Sequence, residues 1–406
     1  MKARFVLVLI VISCNLFYSQ SDTSGIKRNL TDTAKLQLNM DAVYNRPFLQ
    51  YGKIPVALGG YAEVNSNYMI TDGITDGLSF QMRRMTLFVS SSIHRKIKFL
   101  TEIEFEGGTK EINIEFAAID FQMHHLFNLR GGIIMNPIGG FNQNHDGPRW
   151  EFVDRPISAT QLLPATFSNV GFGIFGKTYK QNFVWAYELY VTNGLNDNLI
   201  SNNQNKTYLP AVKLNPNRFE ESYNGMPLIS AKTSLRIKKA GEIGLSYMGG
   251  VYNKFETDGL SLDKKRRADV MAIDYSTTIP YFNTNITGEF VWIFVDVPET
   301  YTQQFGKKQY GGFIDFVQPI IKKKIFGFEK ANFNAALRVE YVDWNVGEFK
   351  ETKGKIADDI FTIVPAISFR TSAQTVLRLN YRYHWQKDLL GNPAAKTGAI
   401  QFGISS

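Results

Sequence analysis

Cysteine is nearly missing from this sequence. Its single copy, Cys14, sits in an apolar stretch close to the N-terminus, so neither a disulfide framework nor thiol chemistry can organise the rest of the chain. Long apolar runs are missing too. After that first stretch none reaches the roughly 20 residues that a membrane-spanning helix needs, which excludes a helical membrane protein. Charge is sparse: Asp, Glu, Lys and Arg make up 20% of the 406 residues, and the formal net charge of +8 is dispersed along the chain. That excess is too weak to argue for nucleic acid and suits anionic solutes or lipid headgroups. Histidines number five (His94, His124, His125, His145 and His384). His124 and His125 are adjacent, and neighbours on a strand point to opposite faces, which makes them poor co-ligands. No Gly-x-Ser-x-Gly elbow and no His-Glu-x-x-His pair occurs. His145-Asp146 has Ser168 downstream, but nothing in the sequence brings the three together. The expectation is of a protein that is not an enzyme, with no catalytic centre, no metal site and no cofactor.

The one apolar run has the layout of a secretory signal peptide. Lys2 and Arg4 precede an apolar core from Phe5 to Phe17, and Tyr18-Ser19-Gln20 lead into a polar segment. It is too short to span as an anchor. Val11-Ile12-Ser13-Cys14 loosely resembles a lipoprotein box, but Leu16-Phe17-Tyr18 continue the apolar stretch past it, so we read Cys14 as removed with the peptide. Loss of Lys2 and Arg4 lowers the charge from +8 to +6. Three parts are expected: a signal peptide over 1–20, a polar periplasmic arm over 21–50, and a β-barrel over 51–406.

What the sequence does have is aromatics, at 14%, and alternation. Sixteen strand-like segments lie between turn signals, at 54–65, 78–91, 96–106, 111–122, 126–135, 171–180, 182–193, 228–238, 241–252, 267–279, 284–297, 308–319, 332–345, 358–371, 374–386 and 396–405. In 374–386, Leu377, Leu379, Tyr381, Tyr383 and Trp385 share one face, and Arg378, Asn380, Arg382 and His384 share the other. That is a period of two. A soluble β-sandwich alternates as well. Here, however, the apolar faces carry aromatics such as Trp185, Tyr187, Trp344, Tyr383 and Trp385, as lipid-interface girdles do. Short turns also alternate with longer connections at 66–77, 136–170, 194–227, 253–266, 298–307 and 346–357, the arrangement of an outer-membrane barrel. The mildly polar mean hydropathy of -0.18 fits, because each such strand needs only about ten alternating residues. The fold expected is an all-β, transmembrane, antiparallel barrel of about sixteen strands in the outer membrane. In 78–91, Gln81-Met82-Arg83-Arg84-Met85 breaks the parity, which suggests a bulge.

The stretch 136–170 is long, rich in turn residues and aperiodic, and a loop of that length within a domain is usually functional. We expect it, as the third outer loop, to fold into the barrel mouth, with Arg149 and Arg155 at a constriction. Parity directs Arg130, Arg338, Arg378, Arg382 and His384 into the lumen, with Arg83 as an addition. Cations in a narrow pore attract anions. They could equally pair with lumen acids such as Glu102, Glu104, Glu115, Glu188, Glu289 and Glu340 and brace the wall, and both readings stand. The Asn-rich loop 194–227 reads as a solvated surface loop. The run Lys264-Lys265-Arg266-Arg267 reads as a solvated face or a contact for lipopolysaccharide.

Three short motifs then resemble the phosphate-selective porin O and P family, in the branch seen in Bacteroidota. They are Phe80-Gln81-Met82-Arg83-Arg84-Met85; Met135-Asn136-Pro137-Ile138-Gly139; and Phe152-Val153-Asp154-Arg155-Pro156, followed by Asn169-Val170-Gly171-Phe172-Gly173. Asn193-Gly194-Leu195-Asn196 adds a fourth. The resemblance runs over most of the chain after residue 20. It implies a sixteen-stranded barrel, often trimeric, with an inward-folded third outer loop and passive diffusion of small anions. Met135-Asn136 stand where the family commonly has a lysine, and Asn169-Val170 where it has Arg-Asp, so phosphate selectivity does not carry over. Two functions from different classes remain. One is an outer-membrane porin passing small anionic solutes, embedded in outer-membrane lipid and lipopolysaccharide. The other is a non-conducting accessory or scaffold barrel.

Overall fold

Each alternating segment becomes a strand, and each strand pairs antiparallel with its neighbour in chain order. The computed structural model describes residues 38–44, 46, 56–301 and 306–406, so the expected signal peptide lies outside them. The strands are β1 (Val56–Thr71), β2 (Ile74–His94), β3 (Ile97–Glu106), β4 (Glu111–His124), β5 (Phe127–Met135), β6 (Ser168–Lys180), β7 (Phe183–Thr192), β8 (Leu228–Ile237), β9 (Gly241–Val251), β10 (Arg267–Ile279), β11 (Thr284–Val295), β12 (Lys308–Lys322), β13 (Asn332–Glu348), β14 (Asp359–Arg370), β15 (Val376–Lys387) and β16 (Pro393–Ser405). β1 pairs with β16 from Glu63 opposite Ser405 to Thr71 opposite Thr397, which closes the sheet. Closure leaves no edge and satisfies the backbone ladder without water, as a lipid surround demands. Apolar side chains such as Leu58, Ile119, Phe172, Leu245, Met271, Leu379 and Ile400 stand exposed on the outer wall.

Two departures from strict alternation matter. The β1–β2 register steps from Glu63 opposite Arg84 to Val64 opposite Met82, so Arg83 is the extra residue of a bulge, as its sequence suggested. Both arginines then bond to lumen groups. The β3–β4 register steps likewise around Glu115, which turns inward with Phe116. One expectation is overturned. Residues 66–77 are not a long loop but the tip of the β1–β2 hairpin, turned by Asp72-Gly73. Both have positive φ, 49° and 85°, the requirement of a tight type I′ turn.

A barrel of sixteen strands has room for an aqueous channel. Here three inserted pieces, two long loops and a segment from the N-terminal side, take much of that room. The loop 136–167 leaves β5 at the long-loop rim and reaches the other rim, where Gly147 lies against Glu63 and Ser405 and the Pro148 carbonyl accepts from Arg370. It then climbs back to β6. The loop between β7 and β8 was expected to be solvated. It instead sends Leu195, Leu199, Ile200, Leu209 and Val212 inward, where they form one apolar core with Ile138, Ile157, Leu162 and Phe167 of the other loop and with Met248, Val270, Ile293, Val342 and Ile360 of the wall. Burying each such side chain contributes roughly 1.5–3 kcal/mol, which outweighs the preference of the loop's asparagines for water. The inward face of β10 and β11 is correspondingly apolar near the long-loop rim, at Ala268, Val270, Ala272, Val291, Ile293 and Val295, and turns polar below at Asp274 and Glu289.

Candidate functional site

The third inserted piece comes from the N-terminal side. Residues 38–44 and 46, within the stretch expected to be a periplasmic arm, lie inside the wall near the short-turn rim. Leu38 and Met40 pack on Val184 and Ala186, and Val43 packs on Leu100, Phe116 and Met135. The Asn39 amide donates to Glu242 at 3.0 Å, and Asp41 pairs with Lys177. Arg46 ends the segment. Its guanidinium donates to Glu102 at 2.8 Å and to both oxygens of Asp146, at 2.5 and 3.0 Å, and it lies 3.8 Å from the Phe88 ring centre. Arg46 thereby joins the segment, the wall and the loop. Glu102, His145 and Asp146 bring potential metal-ligand atoms within 4.8 Å of one another, but Arg46 already bonds both carboxylates.

Carboxylates meet seven of the eight residues expected to line the pore. Arg130 holds Asp120 through two bonds of 2.7 and 2.8 Å. Arg338 holds Asp315 through two of 2.7 Å and donates to the Asp154 carbonyl. Arg382 reaches Glu340 at 3.1 Å, and Arg83 bonds Asp154 at 2.5 Å. Arg155 lies 3.9 Å from Glu104, and Arg149 lies 3.7 Å from Asp146. Arg378 does most for the loop. It donates to the carbonyls of Gly147, Trp150 and Phe152 and to Glu63 at 3.0 Å, clasping the loop's lowest turn. His384 is half-buried, and its Nδ1 has no hydrogen-bond partner among the described residues. These residues do not form one cluster: Arg83, Arg155, Arg338 and Arg382 surround the returning loop at Asp154, while Arg130 lies beside Tyr44 of the N-terminal segment, 3.5 Å from its ring centre.

The loop is also tied to opposite walls. Gly140 and Phe141 donate to Glu289 at 2.7 and 2.9 Å, Gln143 to Glu188 at 2.8 Å, Val153 to Asn380 at 2.9 Å and Ile157 to Glu340 at 2.9 Å. Within the loop, burial alone would raise the Asp154 carboxyl. Arg83 and Arg382, with the Gln401 amide, more than offset this and hold it at about 2. Burial acts the same way on Asp146, where Arg46, His145 and Arg149 bring it to about 2. Many inward side chains are shut off from solvent: Glu102, Glu104, Glu242 and Arg338 are each 0% exposed.

Sequence reasoning missed Arg46, because it assigned its segment to the periplasm. The signal available was Leu38-x-Met40-x-Ala42-Val43, an apolar pattern in an otherwise polar arm.

No family model matches the chain. An uncharacterized protein of Aquifex aeolicus (strain VF5) is 29% identical over 215 residues, which is 51% of this chain and 46% of that protein. The chain therefore spans about half the length of that curated relative. Among solved structures, the barrel is similar to Salmonella typhi OmpF in complex with daunomycin, with a TM-score of 0.53 and 7% identity over 87% of this chain and 98% of that one. It is similar also to an anion-selective porin from Comamonas acidovorans, with a TM-score of 0.51 and 11% identity over 86% and 99%. Pseudomonas putida OprB gives 0.50 and 8% over 86% and 94%. At these identities the similarity is one of fold, a closed antiparallel barrel of sixteen strands.

Proposed function

We propose that this protein is an outer-membrane porin through which small solutes diffuse passively, exported by residues 1–20 and embedded in outer-membrane lipid and lipopolysaccharide. In this reading the loop 136–167, with residues 38–44 and 46, narrows the path. The observation that carries it is the loop's course from one rim to the other, tied to both sides of the wall at Glu289, Glu188, Asn380 and Glu340. The resemblance to the phosphate-selective porin O and P family supports small anions as solutes and a homotrimer as the assembly. Arg149 and Arg155 would bias the path toward anions, because their carboxylate contacts are the longest of the seven, at 3.7 and 3.9 Å. The other five are tightly neutralised and would act as braces.

One observation favours the second reading, a non-conducting scaffold barrel: the two long loops share one apolar core inside the wall. Planar-bilayer recording separates the two. Discrete, small conductance steps whose reversal potential in a salt gradient favours anions fit the porin. A folded protein that inserts and stays silent overturns it in favour of the scaffold.

A further inference from the structure

The turns joining β2 to β3, β4 to β5, β6 to β7 and β8 to β9 are neighbours around the short-turn rim, and backbone bonds join them in series. The Gln122 amide donates to the Lys96 carbonyl at 2.7 Å, the Lys177 amide to the His125 carbonyl at 2.7 Å, and the Lys238 amide to the Asn182 carbonyl at 2.9 Å. Along this arc Arg95, Lys96, Lys180, Lys238 and Lys239 stand exposed. Residues 93–98, 122–127, 179–183 and 237–241 hold no Asp or Glu. Lys177 and Arg236 reach Asp41 and Glu242, but none of the five exposed cations has an ion pair among the described residues. Farther round, the β12–β13 turn adds Lys322, Lys323 and Lys330, and its one acid, Glu329, is held by Lys324. The long-loop rim differs. There Lys264, Arg266 and Arg267 are tied to Asp263, Asp269 and Asp296.

Apolar side chains end the outer wall at these same turns: Ile93, Phe127 and Ile237 are exposed, and the Lys180 ammonium lies 5.7 Å from the Phe183 ring centre. In a bilayer such ends mark the boundary between hydrocarbon and headgroups, where lysine and arginine lay their stems along apolar surface and hold their charge among the headgroups.

We infer that this rim is a docking surface for the phosphate headgroups of anionic phospholipids. The unpaired cations supply the complementary charge at headgroup depth. Four consecutive turns follow the curve of the wall, which suits a layer of lipid around the barrel better than one compact protein partner. The inference rests on the membrane-embedded part of the proposed function and is independent of conduction.

The test uses the full chain folded into phosphatidylcholine vesicles, with phosphatidylglycerol as the probe lipid. Trp185 stands on the outer wall between two of these turns, opposite Thr178 and Leu235. It becomes the reporter in a Trp292→Phe/Trp385→Phe background, which removes the exposed tryptophans of the other rim. Quenching by brominated acyl chains gives the association constant of one lipid relative to the other. Phosphatidylglycerol should exceed phosphatidylcholine by about twofold or more at low salt. The preference should vanish in about 1 M sodium chloride, where charges are screened within roughly 3 Å, and in Lys180→Gln/Lys238→Gln/Lys239→Gln, whose exposed positions leave the barrel's folding untouched. An inserted protein with equal constants at Trp185 overturns this inference alone. So does a preference that survives the triple variant, and so does an equal preference at the other rim, reported by Trp292 and Trp385 in Trp185→Phe. Equal lipid constants with salt-sensitive binding of polyglutamate would assign the rim to an acidic polypeptide instead. A folded chain that does not enter vesicles overturns the membrane reading and this inference with it.

Discussion

The lumen has two halves held by different physics. Toward the short-turn rim, around β1–β5, β12, β13, β15 and β16, the loop's lower turn sits among guanidinium–carboxylate pairs such as Arg46–Asp146, Arg378–Glu63 and Arg338–Asp315. Toward the long-loop rim, around β9–β14, the loop's return and the β7–β8 loop sit in an apolar core. Charge pairs are directional and fix where a strand of loop lies, at the expense of desolvating both partners. Apolar packing is non-directional and supplies net stability through buried area. One loop threads both halves. Its position is therefore set mainly in the polar half, and its adhesion mainly in the apolar half.

The largest effects come from opening one half at a time. Arg338→Met strands a buried Asp315 carboxylate and should cost about 3–5 kcal/mol, read as a lowered urea midpoint of the detergent-folded barrel. Adding Asp315→Leu should recover most of that loss, since replacing both partners of a buried pair is often near neutral. Leu199→Ala in the apolar half should cost about 2–5 kcal/mol, with no single polar substitution able to rescue it. A double variant no more stable than Arg338→Met alone would break the distinction between the halves.

Acid should separate the halves next. Asp146 and Asp154 are held at about 2, below the usual 3.8. Depressed folded values mean that their stabilisation is complete above about pH 4 and is lost as the pH falls toward 2. The apolar core has no corresponding loss. Hydrogen exchange at pH 2–3 should therefore show amides of 142–155 losing protection before those of 195–212. Simultaneous loss in both stretches would mean that the two halves open as one unit.

Much of this was legible in the sequence, and the reasons are local. Alternation is a property of each strand alone, so all sixteen strands were found, and 267–279 matches β10 residue for residue. Arg338, Arg378 and Arg382 point inward because parity says so. What was not legible depends on partners distant in sequence. Asn196, Asn198 and Asn202 masked Leu195, Leu199 and Ile200, whose burial needs Ile157 and Leu162 of the other loop. Arg46 gains meaning only from Glu102 and Asp146, 56 and 100 residues away. The Asp72-Gly73 turn was a local signal, and the polar residues around it hid it.

The smallest effect sharpens the comparison inside the polar half. Arg149 touches Asp146 at 3.7 Å with about a third of its side chain exposed (32%), whereas Arg46 bonds both oxygens of the same carboxylate. Arg149→Gln leaves Asp146 satisfied, and a part-exposed pair of this kind contributes about 0–1 kcal/mol. The urea midpoint should hardly move. If Arg149 faces the solute, the reversal potential in a salt gradient should still shift toward cations, because a charge too exposed to brace the loop remains free to act on a passing ion. An unchanged reversal potential would make Arg149 a bystander and leave Arg155 to carry the anion bias.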